Sequence, residues 1–439
     1  VTARGAPARV RRLTADLPGI GGRLRDEVSD FAVEEVPLYE PAGEGDHAMF
    51  LLEKRGLSTF ESLLWVSKAV RVSEHRIGYA GLKDARAVTT QWMSAPRVPP
   101  ERVLALRHPR LRVLRAERHP HPVRIGHLRG NRFSIVVRGA RDDRLPAARE
   151  ALARLAARGV PNAYGPQRFG VKSDGHEMGR ALLRGDYEEF LAHLLGRPGE
   201  AEHDPRVRAA RLAYDRGDLE RALALFPMKH RVQKRALSER LRTGSAEAAF
   251  RALGKRPRRI YVSAWQSWIF NRCLDERLAR DAHDRLLPGD VAFLHDEEAC
   301  YRVESEAAEA ARARSLRASP TGPLPGHDLR RAGGVEGEVE ARVLDEEGFD
   351  EAAFRAKDLR TRGGRRPFRV PLGDPSVERL GPGEVRVRFS LPPGSFGTVV
   401  LDELMKGDPP EGDATDDATG DEPEADPSEE DGGGVGDRS

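Results

Sequence analysis

The sequence predicts a mixed α/β (α+β) chain, and three observations predict it. Short runs with the two-residue alternation of strands stand near the start, Phe31-Ala-Val-Glu-Glu-Val and His47-Ala-Met-Phe-Leu-Leu. A long middle rich in Arg, Ala and Leu has helical periodicity, above all over residues 204–224 and 261–281. Strand alternation returns over residues 384–391, where Val385, Val387 and Phe389 point one way and Arg386, Arg388 and Ser390 the other. This order fits either sequential domains or one sheet domain interrupted by an insertion, and the pattern alone leaves both open.

The elements follow in order. The Pro- and Gly-containing stretch 41–45 reads as the turn between the first two strands. Ser58 or Thr59 then caps a helix to about Val70, with Phe60, Leu63, Leu64 and Val66 as its apolar stripe. Ile77-Gly-Tyr-Ala-Gly-Leu-Lys-Asp84 reads as a strand running into a glycine turn, a place where a rigid sheet can hold reactive side chains at the surface. Residues 131–137 form a further strand, and 145–157 an amphipathic helix. A glycine-rich loop over 159–170 opens the helical region.

The chain has 439 residues and a formal charge of +3, from 73 Lys and Arg against 70 Asp and Glu. That balance hides an asymmetry: residues 407–439 hold 13 acidic residues and one basic one, a net of −12, which leaves +15 on residues 1–406. A body that basic attracts polyanions, so RNA or DNA is the leading partner class. The acidic tail has almost no apolar residues and is expected to be disordered, a solubilising extension. The longest uncharged stretch, 389–401, contains two prolines and falls short of the about 20 apolar residues of a membrane span. The first residues, VTARGAPARVRRL, lack the apolar core of a secretory signal. Two cysteines, Cys273 and Cys300, make neither a disulfide framework nor a cysteine zinc site, which suits the cytoplasm.

Several chemistries are excluded by their missing motifs. No phosphate-binding P-loop, dinucleotide fingerprint or HExxH pattern occurs. Pro393-Gly-Ser-Phe-Gly397 has proline where a hydrolase elbow needs its first glycine. His108, His119, His121 and His127 match no closed zinc site and read as solvated loop histidines.

The segment Gly78-Tyr-Ala-Gly-Leu-Lys-Asp-Ala-Arg-Ala-Val-Thr-Thr-Gln-Trp92 is far more specific than a generic turn. It closely resembles the signature of the TruD family of tRNA pseudouridine synthases, in which a Gly-x-Lys-Asp turn presents the catalytic aspartate. Further segments resemble that family in the same order. They are Asp30-Phe31-Ala-Val-Glu-Glu, Gly130-Asn-Arg-Phe133, Gly159-Val-Pro-Asn-Ala-Tyr-Gly-Pro-Gln-Arg-Phe-Gly170, Ser263-Ala-Trp-Gln-Ser-Trp-Ile-Phe-Asn271 and Leu391-Pro-Pro-Gly-Ser-Phe-Gly-Thr398. The resemblance covers roughly residues 20–406.

It implies that Asp84 is the catalytic aspartate and that Phe31, Asn131, Phe133 and Phe396 shape the pocket for the target uridine. It also implies a pseudouridine synthase catalytic domain with a mixed sheet, made of residues 1–159 and 370–406. An α/β TruD-type domain, 160–369, is inserted in it, and the tail 407–439 follows. The implied substrate is uridine 13 in the D arm of tRNA; the alternatives are the same chemistry on ribosomal or messenger RNA and a non-catalytic RNA-binding or folding factor, and a monomer is the default expectation where the sequence fixes no oligomeric state. Arg25 stands where many relatives have lysine, and either cation can pair with Asp84, though with different hydrogen-bond geometry. Lys83 is a candidate to orient the loop or to touch phosphate. Ala163 replaces a common aromatic, beside a retained Tyr164.

The chemistry asks for the same residue types. Isomerising uridine breaks the N1–C1′ bond and rejoins the base through C5, with no net redox change. A carboxylate can act as nucleophile or base toward sugar or ring, so no metal or organic cofactor is required. The nucleotide must leave its stack, and aromatic faces with an amide reading the uracil edge can hold it.

Overall fold

The computed structural model describes residues 10–199, 202–349, 351–355 and 361–407. The acidic stretch from residue 408 on, read above as disordered, lies outside the described residues. The chain forms two compact units: residues 24–136 make one, and residues up to 23 together with those from 137 on make the other.

The unit of residues 24–136 is a mixed sheet with one main helix. Its elements are β1 (Phe31–Pro37), β2 (His47–Arg55), α1 (Thr59–Val70), β3 (Gly78–Tyr79), β4 (Val88–Pro96), α2 (Pro100–Leu104), β5 (Leu111–His119) and β6 (Leu128–Arg138), within which the chain passes to the other unit. The strand order is β6-β1-β4-β2-β5, with β3 beside β4. Only β1 and β4 run parallel. The register sets a cross-sheet row, Leu111, Lys54, Thr89, Val33 and Phe133, whose side chains share one face.

Helix α1 begins with a reciprocal cap. The Ser58 hydroxyl accepts the Glu61 N–H at 3.1 Å, and the Glu61 carboxylate accepts the Ser58 N–H at 2.7 Å. Leu63, Val66 and Val70, spaced by three and four, pack on Phe50, Leu52 and Met93. Leu64, expected in that stripe, is exposed, because it sits one residue past the inward position. The solvated-histidine reading also needs correction at His119. That residue is buried at the end of β5 and stacks on Tyr39 at 4.9 Å, and the Tyr39 hydroxyl lies 2.6 Å from His127 Nδ1.

The second unit continues with α3 (Leu145–Arg158), β7 (Val160–Pro161), α4 (Gly175–Leu183), α5 (Tyr187–Leu195), α6 (Pro205–Asp215), α7 (Leu219–Leu225), α8 (Arg231–Thr243), α9 (Ala246–Arg251) and α10 (Lys255–Ala279). The helix expected over 204–224 is two helices. Gly217, at φ 81°, ends the first, and the Asp218 carboxylate caps the second by accepting the Arg221 N–H at 3.1 Å. Helices α4 to α9 enclose a core of Leu191, Leu194, Val207, Phe226 and Phe250. Helix α4 lies so close to α10 that a Cβ on Gly179 would meet the Tyr261 carbonyl oxygen at 2.2 Å.

Beyond α10 come β8 (Val291–Leu294), β9 (Ala299–Arg302), α11 (Glu306–Arg314), β10 (Ala318–Leu324), α12 (Gly334–Glu346), β11 (Gly364–Pro367), β12 (Arg369–Val370), β13 (Gly373–Gly381), β14 (Glu384–Leu391) and α13 (Gly397–Met405). Four of them form the sheet β11-β10-β8-β9, β12 pairs with β7, and β13 with β14. Strand β14 has the bounds and the buried Val385, Val387 and Phe389 that alternation predicts. The start of the unit is tied to its end: the Glu403 carboxylate accepts the N–H groups of Leu13 and Thr14 at 2.7 and 3.0 Å.

Candidate active site

Asp84 stands in the turn between β3 and β4. Its side chain is 38% exposed, and one carboxylate oxygen lies 3.3 Å from an Arg25 guanidinium nitrogen. Arg25 reaches it from a left-handed backbone, φ 62°, and its guanidinium covers the Phe31 ring at 4.3 Å from the centroid. Phe31 is thus the buried floor of a cation–aromatic pair rather than a free ring.

The turn is held from three sides. Lys83 pairs with Glu35 at 2.6 Å, with both side chains buried. The Lys83 ammonium is thus engaged within the protein. Glu35 also accepts the Trp92 N–H at 2.9 Å. The Lys83 N–H donates to the Thr59 hydroxyl at 3.0 Å, which itself donates to Gln91 at 3.1 Å.

The third hold is Lys54, which is fully buried and which sequence reasoning missed. Its Nζ donates to the carbonyls of Leu57, Asp84 and Lys83 at 2.6, 2.7 and 3.2 Å. Burial pushes its pKa down to about 8, against the attraction of the Asp84 carboxylate, which favours the charged form.

Asn131 and Phe133 lie on β6 opposite Glu35 and Val33 of β1. Directly paired residues share a face, so Asn131, Phe133, Phe31 and Glu35 all project from the same side of the sheet. Phe133 is buried. The Asn131 Oδ1 is buried and accepts no hydrogen bond among the described residues, an acceptor without a partner.

Phe396 belongs to the second unit, where it caps α13, remains 37% exposed, and packs on Tyr164 with ring centroids 6.0 Å apart. Arg366, also not foreseen, staples this region. Its guanidinium lies 4.3 Å from the Tyr164 centroid and donates to Asn162 Oδ1 at 2.5 Å and to the Gly394 carbonyl at 2.9 Å. Ala163 is buried in a cluster with Val262 and Trp265.

The mixed sheet thus carries a cation-paired, partly exposed carboxylate at a braced turn, together with aromatic rings and a buried amide oxygen that accepts no hydrogen bond among the described residues. The sequence profile of the tRNA pseudouridine synthase D (TruD) family matches residues 9–404. A tRNA pseudouridine synthase D of Geobacter metallireducens is 45% identical over 403 residues, 91% of this chain and 99% of that protein. One from Anaeromyxobacter dehalogenans strain 2CP-C is 39% identical over 396 residues, 90% and 96% of the two chains. A crystal structure from Methanosarcina mazei, described as a putative tRNA pseudouridine synthase D, has a TM-score of 0.77 at 29% identity, covering 91% of this chain and 97% of that one. The chain belongs to the TruD family of tRNA pseudouridine synthases.

Proposed function

We propose that this chain isomerises uridine to pseudouridine in tRNA, at uridine 13 of the D arm, with Asp84 as the nucleophile. The observation that supports this most directly is the accessible Asp84 carboxylate, paired with Arg25 and carried on a braced turn. In the reaction the N1–C1′ bond breaks, the base turns, and C5 bonds to C1′ as its proton leaves and N1 takes one up. Asp84 supplies the carboxylate that carries the substrate between bond breaking and bond making. The Asn131 Oδ1 accepts the uracil N3–H, and Phe133 and the Arg25–Phe31 stack line the place of the flipped base. Phosphates are met by the basic body of +15.

The reading goes with a catalytic domain of residues 1–159 and 370–406, an insertion of 160–369, a monomeric enzyme and a cytoplasmic location. The test is to map pseudouridine in the RNA of a deletion strain complemented with wild type or with Asp84→Asn. Loss of one tRNA mark, restored by wild type alone, is expected. Full restoration by Asp84→Asn overturns the role of Asp84, and loss of a mark in ribosomal or messenger RNA instead overturns the target.

A further inference from the structure

We propose that Lys54 is the positioning residue of the reaction: an ammonium on a neighbouring strand that fixes the peptide bearing Asp84 and so aims its carboxylate. The inference rests on Asp84 as the nucleophile and deepens that reading by assigning a second residue to its geometry.

Lys54 follows Phe50 and Leu52 on the inward face of β2, in a row with Leu111, Thr89, Val33 and Phe133. Packing alone favours an aliphatic residue there, since lysine is almost never fully buried unless paired. Lys54 is buried completely, and its three hydrogen-bond acceptors among the described residues are carbonyl oxygens, two of which flank the nucleophile's own peptide. An ammonium has three donors and no acceptor, so each donor has one carbonyl and the group is satisfied without being neutralised by contact with a carboxylate. The carbonyls of Lys83 and Asp84 cannot rotate without breaking two of these bonds. The turn bearing an exposed carboxylate is thereby held from its buried side.

The charge matters as well as the donors. From the turn itself, the Asp84 carboxylate attracts Lys54 and Lys83 repels it; from α1, Glu61 attracts it. Lys83 is in turn paired with Glu35, and Asp84 with Arg25. Burial outweighs the attractions and brings the Lys54 pKa to about 8. Raising the pH through that value removes one of the three donors and the positive charge behind Asp84.

The experiment measures single-turnover pseudouridine formation in a tRNA transcript by wild type, Lys54→Met and Lys54→Gln, with folding checked by circular dichroism and melting. A displacement of about 1 Å at a reacting group can cost about 100-fold, so a loss of that order is expected in the saturating rate of Lys54→Met, with half-saturating RNA changed by less than about threefold. Lys54→Gln returns two N–H donors without charge and is expected to fall between. Above a pH of about 8 the wild-type rate is expected to decline, and the Lys54→Gln rate not to. A folded Lys54→Met with wild-type rate, a loss confined to RNA affinity, or a loss equal to the unfolded fraction overturns the proposal.

Amide hydrogen exchange at Lys83 and Asp84 keeps the two readings apart. If wild type forms no pseudouridine, the functional reading fails, while faster exchange at these amides in Lys54→Met still supports the latch. Unchanged exchange there overturns it.

Discussion

Two buried cations, one in each unit, differ in what they hold. Arg369 in the second unit is 1% exposed and donates to the carbonyls of Ala313, Arg158 and Ala318 at 2.6, 2.8 and 3.2 Å, and to the Ser319 hydroxyl. Lys54 is equally buried and equally bound to carbonyls. Burial lowers both, Arg369 to about 10 and Lys54 to about 8. Arg369 holds the carbonyls of Arg158, Ala313 and Ala318, none of them a carboxylate residue, and it keeps its charge at neutral and mildly alkaline pH. Lys54 ties down the peptide of an exposed carboxylate, and its charge is lost at a lower pH than that of Arg369. The same bonding pattern is architecture in one place and control of a reacting group in the other.

A third buried cation marks the purely structural extreme. Arg277 is fully buried and donates to the carboxylates of Asp290 and Glu336 at 2.6 to 2.9 Å. Neither carboxylate is accessible, so nothing there meets a substrate.

The contrast can be broken in four ways. Asp84→Asn should lower the rate by at least about 10³-fold, as removal of a nucleophile does, with the melting temperature kept. Loss of stability without loss of rate would move Asp84 from the reacting class to the structural one. Arg277→Met leaves two buried carboxylates without this partner and should cost about 3–5 kcal/mol in denaturant unfolding, with the rate of the folded fraction unchanged.

The pH dependence of stability separates Lys54 from Arg369. Unfolded Lys54 titrates near 10.5 and folded Lys54 near 8, so between these values the unfolded chain binds more protons. Stability from this group therefore rises with pH over that window, by about 1 kcal/mol per unit, and is flat below it. Unfolding of wild type and Lys54→Met between pH 8 and 10 should show a steeper slope in the first, by the Lys54 contribution, since Lys172 and Lys406 act alike in both and Arg369 begins to contribute only near 10. The smallest effect is expected for Arg25→Lys. The charge beside Asp84 stays while the planar cover on Phe31 is lost, so the rate should change by less than about tenfold. A change comparable to Asp84→Asn would place Arg25 among the reacting groups.

Much of the site was readable because its signals are local. The Gly-x-Lys-Asp turn carries Asp84 within a contiguous motif, and the strand period puts Asn131 and Phe133 on one face of β6. The pairing of Arg25 with Asp84 followed from opposite charge and a matching position. Lys54 gave no such signal: in Leu-Leu-Glu-Lys-Arg-Gly it looks like one charge in a polar strand end. Nor did Glu35, one of two adjacent glutamates, of which the second turns inward to Lys83 and the first pairs with Arg132 at the surface. Which of two neighbouring charges is buried depends on strand parity and on what the next strand presents.

The sequence by itself determined most of the elements, the family and the candidate nucleophile, since periodicity, capping and a continuous motif act over a few residues. It also determined the +15 body before the acidic tail, because net charge needs no folding. Tertiary structure alone decided that β1 lies between β4 and β6, which brings Phe31, Asn131 and Phe133 to one face. It also decided that Lys54, 30 residues before Asp84, ends beneath that residue's peptide. Strand order and the burial of a charge depend on contacts between distant segments, and a long-range contact leaves no periodic mark in the residues that make it.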